Sequence, residues 1–341
     1  MKWIFLEATD LGAHANDWDR INQEGPASPL LDVAFALSAL KNFGSGREVL
    51  AVLNPERPQA MALLRQSGKM GWETFQPSQA PLGFFVHDGR LHVPFMLQTL
   101  MKQLPGLPLI LGVTQLDPLL YPVPPESPTL KSVDYIRTAG IVVTGTFEDY
   151  WQKRGRNLRH NLKKQRAQLE KQHVKPCLDL ITDPAEVSQA IRDYSALEQS
   201  GWKAGKGTAV HHNNVQGEFY RTLLKRFCRK GLGRIYRYRY NESVVAMDLC
   251  VEFQGTLVVL KTAYDERISN NTSPALLMRQ DAFQQIFEEG KISRIEFYGR
   301  VMDWHTKWAD ETRVLYHLNQ YRWSVLSMLH GQSPKIETEI A

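Results

Sequence analysis

The stretch TLVVLKTAYDERISNNTSPALLMRQDAFQQIF, Thr256–Phe287, decides how this chain is read. Thr256–Tyr264 is a strand by composition, rich in apolar and β-branched residues. Asp265–Ser273 is a polar loop. Ser273-Pro274 then opens a helix, because Ser is a good N-cap and Pro suits the first helical position, where no N–H is needed. Leu276, Phe283 and Phe287 share one face of that helix, the face expected in a core. A helix start presents free N–H groups and the positive end of a dipole, which suit a phosphate or pyrophosphate. A strand that ends beside such a start can hold a phosphate-bearing acyl carrier against a sheet edge.

Working outward, Arg234–Tyr240, Ser243–Phe253 and Thr256–Tyr264 are separated by short turns at Asn241-Glu242 and Gln254-Gly255, the pattern of an antiparallel meander. Ile292–Tyr298 and Arg313–Tyr321 read as further strands. Helices are expected at Phe147–Gln172, at Ala185–Leu197 (entered through Asp183-Pro184) and at Glu218–Arg229. A meander followed by a helical crossover makes an α+β sheet, not a doubly wound one. The N-terminal half reads as mixed α/β, with strands at Trp3–Glu7, Glu48–Leu53, Ala60–Arg65 and Leu109–Val113 and helices at Ala13–Asn22 and Leu31–Phe43. It carries no catalytic constellation. The proline-rich Tyr121–Thr129 disfavours both helix and sheet interior and marks the boundary between domains at 1–125 and 130–341.

The 341 residues suffice for two domains with a full core each, and 43% hydrophobic with 23% charged residues is the composition of a globular protein. The apolar N-terminus is interrupted by Glu7 and Asp10, too early for a secretory signal, and no run is long enough to span a bilayer. Cys177, Cys228 and Cys250 are odd in number and form no CxxC pair, which fits a reducing, cytoplasmic setting. No metal-ligand spacing is present; the adjacent His211-His212 chelate poorly, and no metal is expected. The net charge of +5 and pI near 9.0 favour anionic partners without choosing among nucleic acid, nucleotide sugars, coenzyme A or a membrane surface.

Several residues carry candidate chemistry. The segment Trp151–Lys171 holds Lys153, Arg154, Arg156, Arg159, Lys163, Lys164, Arg166 and Lys171 against Glu170 alone. Trp151, Leu158, Leu162 and Leu169 form a narrow stripe that docks it, leaving a cationic face that is either a solvated surface or a cradle for a polyanion. Gly201-Trp202-Lys203 is either a packed tryptophan or an aromatic wall with an anchoring charge. On the strand, Lys261 and Ala263 share one face, Thr262 and Tyr264 the other. The Tyr264 hydroxyl can protonate a thiolate, and Asp265 or Glu266 can accept a proton, although both carboxylates equally suit a solvated loop. Tyr298-Gly299-Arg300 closes the next strand, before Trp304, His305, Lys307 and Trp308. Lys307 suits a carbonyl or phosphate oxygen, and packing accounts for at least one of the tryptophans.

Taken in order, these pieces resemble the CelD/BcsL group of GNAT-fold acetyltransferases, which is related to the FemAB aminoacyltransferases. The matching residues are Leu158–Lys164 (LRHNLKK), Gly201–Ala204 with Gly207–Ala209 (GWKA, GTA), Leu260–Asp265 (LKTAYD), Ser273–Leu277 (SPALL), and Tyr298-Gly299 with Trp304 and Lys307-Trp308. They cover about half of the chain, the scale of one module. The N-terminal half resembles the first of two such lobes only loosely. Ala275 stands where the group often has Gly, and the RxxGxG-type phosphate loop of GNAT enzymes is missing. The resemblance implies two tandem GNAT-like lobes, each a mixed, mostly antiparallel sheet flanked by helices.

It further implies direct acyl transfer in a ternary complex, acetyl-CoA being the donor and a sugar, polysaccharide or cell-envelope precursor the acceptor. In that scheme Lys261, Thr262, Ser273, Ala275, Leu276 and Leu277 hold the donor. Tyr264, Asp265, Glu266, Tyr298 and Lys307 serve the chemistry, and Arg159, Lys163, Trp202, Lys203 and Trp304 hold the acceptor. Two alternatives stand beside it. One is aminoacyl transfer from aminoacyl-tRNA to a cell-wall precursor, the only enzymatic reading with a nucleic-acid partner. The other is a non-catalytic module that binds nucleic acid or polysaccharide. Contact with a membrane surface is compatible with all three.

Overall fold

Asp32 and Asn214 show how local sequence starts helices here. The Asp32 carboxylate accepts the Ala34 N–H at 2.7 Å, and the Asn214 side chain accepts the Gly217 N–H at 2.9 Å, so each satisfies a donor that the first helical turn leaves over. The structure, a computed structural model, describes residues 1–199, 210–268 and 272–329. It contains two compact units, Met1–Thr138 with the chain from Thr312 onward, and Ala139–Glu311. The expected boundary at 121–130 precedes this division, which falls inside one continuous strand. No helix among the described residues is long and apolar enough to cross a membrane.

In the first unit β1 (Trp3–Glu7), β2 (Val49–Leu53), β3 (Ala60–Gln66) and β4 (Gly71–Thr74) are successive antiparallel neighbours. Helices α1 (Ala15–Glu24) and α2 (Val33–Phe43) separate β1 from β2. β5 (Phe85–His87) adds to β3, and α3 (Val93–Gln103) crosses over to β6 (Ile110–Leu116), which runs parallel to β4. Trp18, Phe35, Phe84 and Leu97 are fully buried in this unit. Sequence reading found neither β4, β5 nor α3. These elements are short or carry a proline in their first turn (Pro94 of α3), and their pattern is set by tertiary neighbours rather than by period.

β7 (Leu130–Val142) leads into the second unit, where its last four residues pair with a later strand. The expected single helix 147–172 is two, α4 (Phe147–Gln152) and α5 (Arg156–Lys171). Gly155 is the N-cap of α5 in an extended conformation (φ −53°, ψ 136°), which no continuous helix allows. β8 (Pro176–Ile181), α6 (Val187–Gln199) and α7 (Val215–Arg229) follow. Then comes the expected meander, β9 (Gly233–Tyr240), β10 (Ser243–Phe253) and β11 (Thr256–Tyr264), antiparallel throughout. Gln254 and Gly255 both have positive φ (45° and 79°), the geometry that a tight two-residue hairpin turn demands. α8 (Pro274–Glu289) crosses over to β12 (Arg294–Phe297), which is parallel to β11 and antiparallel to β7. α9 (Asp303–Thr306) closes this unit.

β13 (Glu311–Tyr321) returns to the first unit, pairs antiparallel with β6, and is followed by α10 (Ser324–Leu329). Each unit is therefore a mixed, mostly antiparallel sheet flanked by helices, as expected.

The core of the second unit gathers Leu158, Leu162 and Leu169 of α5 with Leu277, Met278, Phe283 and Ile286 of α8 around Tyr238, Ile295 and Trp308. Each large side chain buried this way contributes about 1.5–3 kcal/mol. The leucine stripe of α5 docks as expected. Trp151 belongs to α4 instead, and stacks between Phe147 (6.0 Å) and Trp308 (5.7 Å).

Candidate active site

Two neighbours of β11 differ in reach. On one side β10 pairs with it from Thr256 to Tyr264, with a bulge that leaves Leu260 unopposed between Val259 and Lys261. On the other side β12 pairs only with Thr256, Leu257 and Val258. β12 then stops at Phe297 and the chain turns away at Gly299 (φ 120°). Among the described residues, Val259–Tyr264 has no strand partner on that side. Its backbone edge faces a cleft of about 850 Å³, lined also by Glu198, Ser273–Leu276, Arg279, Phe297, Tyr298, Met302, Trp304 and His305.

A buried charge cluster forms part of the cleft wall. Asp248 of β10 and Arg279 of α8 are 3% and 2% exposed, with the Arg279 Nε 3.6 Å from the carboxylate. The Thr262 hydroxyl bridges them, donating to Asp248 and accepting from Arg279 Nη2 at 2.8 Å. Burial raises the Asp248 carboxyl pKa and lowers that of Arg279, while the charge of each opposes the shift of the other. The guanidinium lies over Trp304, 4.0 Å from its ring centroid, with Phe297 at 5.9 Å. Trp304 in turn stacks on His305 at 3.5 Å. Burial and the Arg279 charge push His305 down to about 4, so the ring is neutral near pH 7. Its Nδ1 accepts the Met302 N–H at 2.9 Å, which leaves the proton on Nε2.

A second cleft of about 590 Å³ adjoins the first, and Ser273 and Leu276 line both. Its wall is Lys153, Arg154, Gly155, Asn157, Leu158, Asn161, Leu162 and Gln165 on one side and Thr306, Lys307, Ala309 and Asp310 on the other. Arg154 braces it, donating to the Trp308 and Ala309 carbonyls at 2.6 and 3.2 Å and pairing with Asp310. Gln165 Oε1 accepts the Ser273 N–H at 2.8 Å.

The predicted residues divide accordingly. Lys261, Thr262, Tyr264, Asp265, Glu266, Ser273, Ala275, Leu276, Tyr298 and Trp304 all line the first cleft, and Lys307 lines the second. Tyr264 is half exposed at the strand end. Asp265 accepts from the Arg267 backbone N–H and, at 2.9 and 2.8 Å, from its guanidinium. Leu277 is fully buried in the core and lines neither cleft. Arg159 and Lys163 also line neither: Arg159 is turned back onto the Arg154 carbonyl and Gln152, and Lys163 is exposed. Trp202 and Lys203 lie outside the described residues. Ser273 occupies the N-cap position of α8, but its side chain makes no capping bond, because Gln165 takes its N–H and hydroxyl instead. Among the described residues the Ala275 N–H has no acceptor, whereas those of Leu276 and Leu277 bond to the Ser273 carbonyl.

Sequence reading missed Asp248, Arg279 and Glu198. A signal existed for each of them. Arg279 stands three residues after Leu276 and four before Phe283, on the apolar face of α8, and Asp248 interrupts the apolar run of β10. A charge on a core face calls for a partner. Glu198 shares the buried face of α6 with Ile191 and Tyr194; it accepts the Tyr194 hydroxyl from within the helix, whereas the Val210 N–H meets it only in the fold.

Residues 156–306 match the family model described as acetyltransferase (GNAT) domain. No curated protein matches the sequence. Among solved structures, FemX is similar with a TM-score of 0.59 at 8% identity, over 97% of this chain and 100% of that one. A conserved protein of unknown function from Bacteroides thetaiotaomicron gives 0.58 at 10%, over 94% and 99%. L-PGS from Bacillus licheniformis gives 0.53 at 11%, over 95% and 96%. At such identities the likeness speaks for the fold alone. Residues 156–306 thus resemble a GNAT acetyltransferase domain, and the solved structures extend the likeness of fold through both units.

Proposed function

We propose that the second unit transfers an acyl group, acetyl from acetyl-CoA, to an amine or hydroxyl of a sugar, polysaccharide or envelope precursor, as CelD/BcsL-type enzymes do. The observation that carries this reading is the edge of β11 beyond Val258, which no described strand covers, beside the start of α8. An arm with amide groups adds to such an edge as an extra strand. Its phosphates then lie near the Ala275 N–H and the positive end of α8. A backbone N–H of Val259–Lys261, where the bulge re-aims the chain, polarises the thioester carbonyl.

The acceptor nitrogen or oxygen attacks the carbonyl carbon, and the carbon–sulfur bond breaks as the new bond forms. Tyr264 or Tyr298 protonates the leaving thiolate. Glu266 or Glu198 takes the acceptor's proton, Asp265 being held by Arg267. Trp304, which lines this cleft beneath Arg279, forms part of the acceptor's wall. Equilibrium dialysis of the pure protein against labelled acetyl-CoA tests the reading, which fails if no saturable binding is found.

A second reading keeps the geometry and changes the donor to aminoacyl-tRNA. Its support is the basic α5 next to the second cleft, which suits a polyanion. RNA that copurifies and charges with an amino acid would favour it.

A further inference from the structure

Building on the acyl-transfer reading, we infer that the second cleft takes the phosphorylated nucleoside end of the donor's carrier. The two clefts differ in character. The first is walled largely by apolar groups, including Val259, Leu260, Ala263, Pro274, Phe297 and Met302. The second is polar. Its frame is committed, since Arg154 and Asp310 neutralise each other and Gln165 serves Ser273. What remains is Lys153, Asn157, Asn161 and Lys307, and among the described residues none of these makes a side-chain hydrogen bond.

Asn157 and Asn161 are one helical turn apart on α5, so both amides reach the same cleft. Two ammonium groups suit phosphates. Two amides, each both donor and acceptor, suit the edge of a purine or the hydroxyls of a ribose. A ligand running from the second cleft into the first passes Ser273 and Leu276, the residues common to both. That passage brings an uncharged arm to the β11 edge and leaves Glu198, which lines the first cleft alone, for the other substrate. A carrier with a long uncharged arm on a phosphorylated nucleoside matches this polarity from end to end.

The test compares calorimetric affinities of coenzyme A, 3′-dephospho-coenzyme A and pantetheine for the full chain and for K153A/K307A and N157A/N161A. Loss of both lysines is expected to weaken coenzyme A about tenfold or more, to erase its advantage over the dephospho form, and to leave pantetheine unchanged. The asparagine pair is expected to weaken both nucleotides alike. If wild-type protein binds coenzyme A and K153A/K307A binds it equally well, the assignment is overturned while the donor reading stands. A rise only in the Michaelis constant for a nucleotide-linked acceptor would likewise overturn it, by giving the cleft to the acceptor. If neither coenzyme A nor pantetheine binds the wild type, the donor reading fails and takes the inference with it.

Discussion

The two units repeat one plan with opposite outcomes. In each, antiparallel strands lead to a parallel pair bridged by a helix, β4 with β6 in the first and β11 with β12 in the second, and each pair holds for only three residues. Beyond that point the first unit is stitched shut. The Thr74 hydroxyl accepts the Thr114 N–H at 3.0 Å and bonds the Thr114 hydroxyl at 2.7 Å. The returning chain places the Gly83 N–H on the Thr114 carbonyl at 3.1 Å, and Phe75 stacks on Phe84 above it. A Cβ at Gly83 would lie 2.4 Å from the Thr74 hydroxyl, so only glycine fits. In the second unit, β11 runs six residues past its last pair with β12, and no strand among the described residues covers that stretch, which lies along a cleft. The difference teaches that a shared topology supplies the gap, while the groups that pack into it decide whether a ligand can enter.

The largest expected effect comes from the pair behind the cleft along β11. Arg279→Met leaves the Asp248 carboxylate buried without its opposite charge and should cost about 3–5 kcal/mol in urea unfolding, whereas Asp248→Asn with Arg279→Met should recover most of it. A single-variant cost below about 1 kcal/mol would show that the cluster is not structurally coupled. Next, Gly83→Ala should destabilise the first unit by about 1–3 kcal/mol and leave donor affinity unaltered, since the plug serves only its own lobe. A changed donor affinity would break the contrast.

Leu276→Trp, at the mouth shared by both clefts, should reduce acetyl-CoA affinity about tenfold with little loss of stability, the volume of the indole filling the passage. The smallest effect concerns His305. Its pKa is depressed on folding to about 4, so the unfolded chain binds a proton first as pH falls. The neutral-ring contribution is intact above the ordinary histidine value near 6.5 and declines as pH drops toward 4. His305→Gln should flatten the fall in melting temperature between pH 7 and pH 5, and an unchanged slope would assign that fall elsewhere.

Much of the second unit was legible beforehand. The turn at Gln254-Gly255, the strand to Tyr264 and the helix start at Pro274 all lie where local chemistry puts them. Less local features were not. The break at Gly155 reverses nothing in the leucine stripe, so periodicity alone runs straight through it. β7 alternates weakly, and β8 carries the ion-paired Asp179 on a short edge, so neither announced itself. Arg159 looked like a ligand group because its charge was visible and its backbone partner was not.

Sequence alone determined the order of elements around Thr256–Phe287 and the cationic face of the helix at 156–171, because turns, caps and periodicity act over a few residues. Only the tertiary structure decided that β12 turns away from β11, that Asp248 meets Arg279, and that Thr74, Gly83 and Thr114 close the first lobe. Those outcomes depend on residues up to 40 positions apart, and pairing over such distances is settled by which groups find partners when the chain packs.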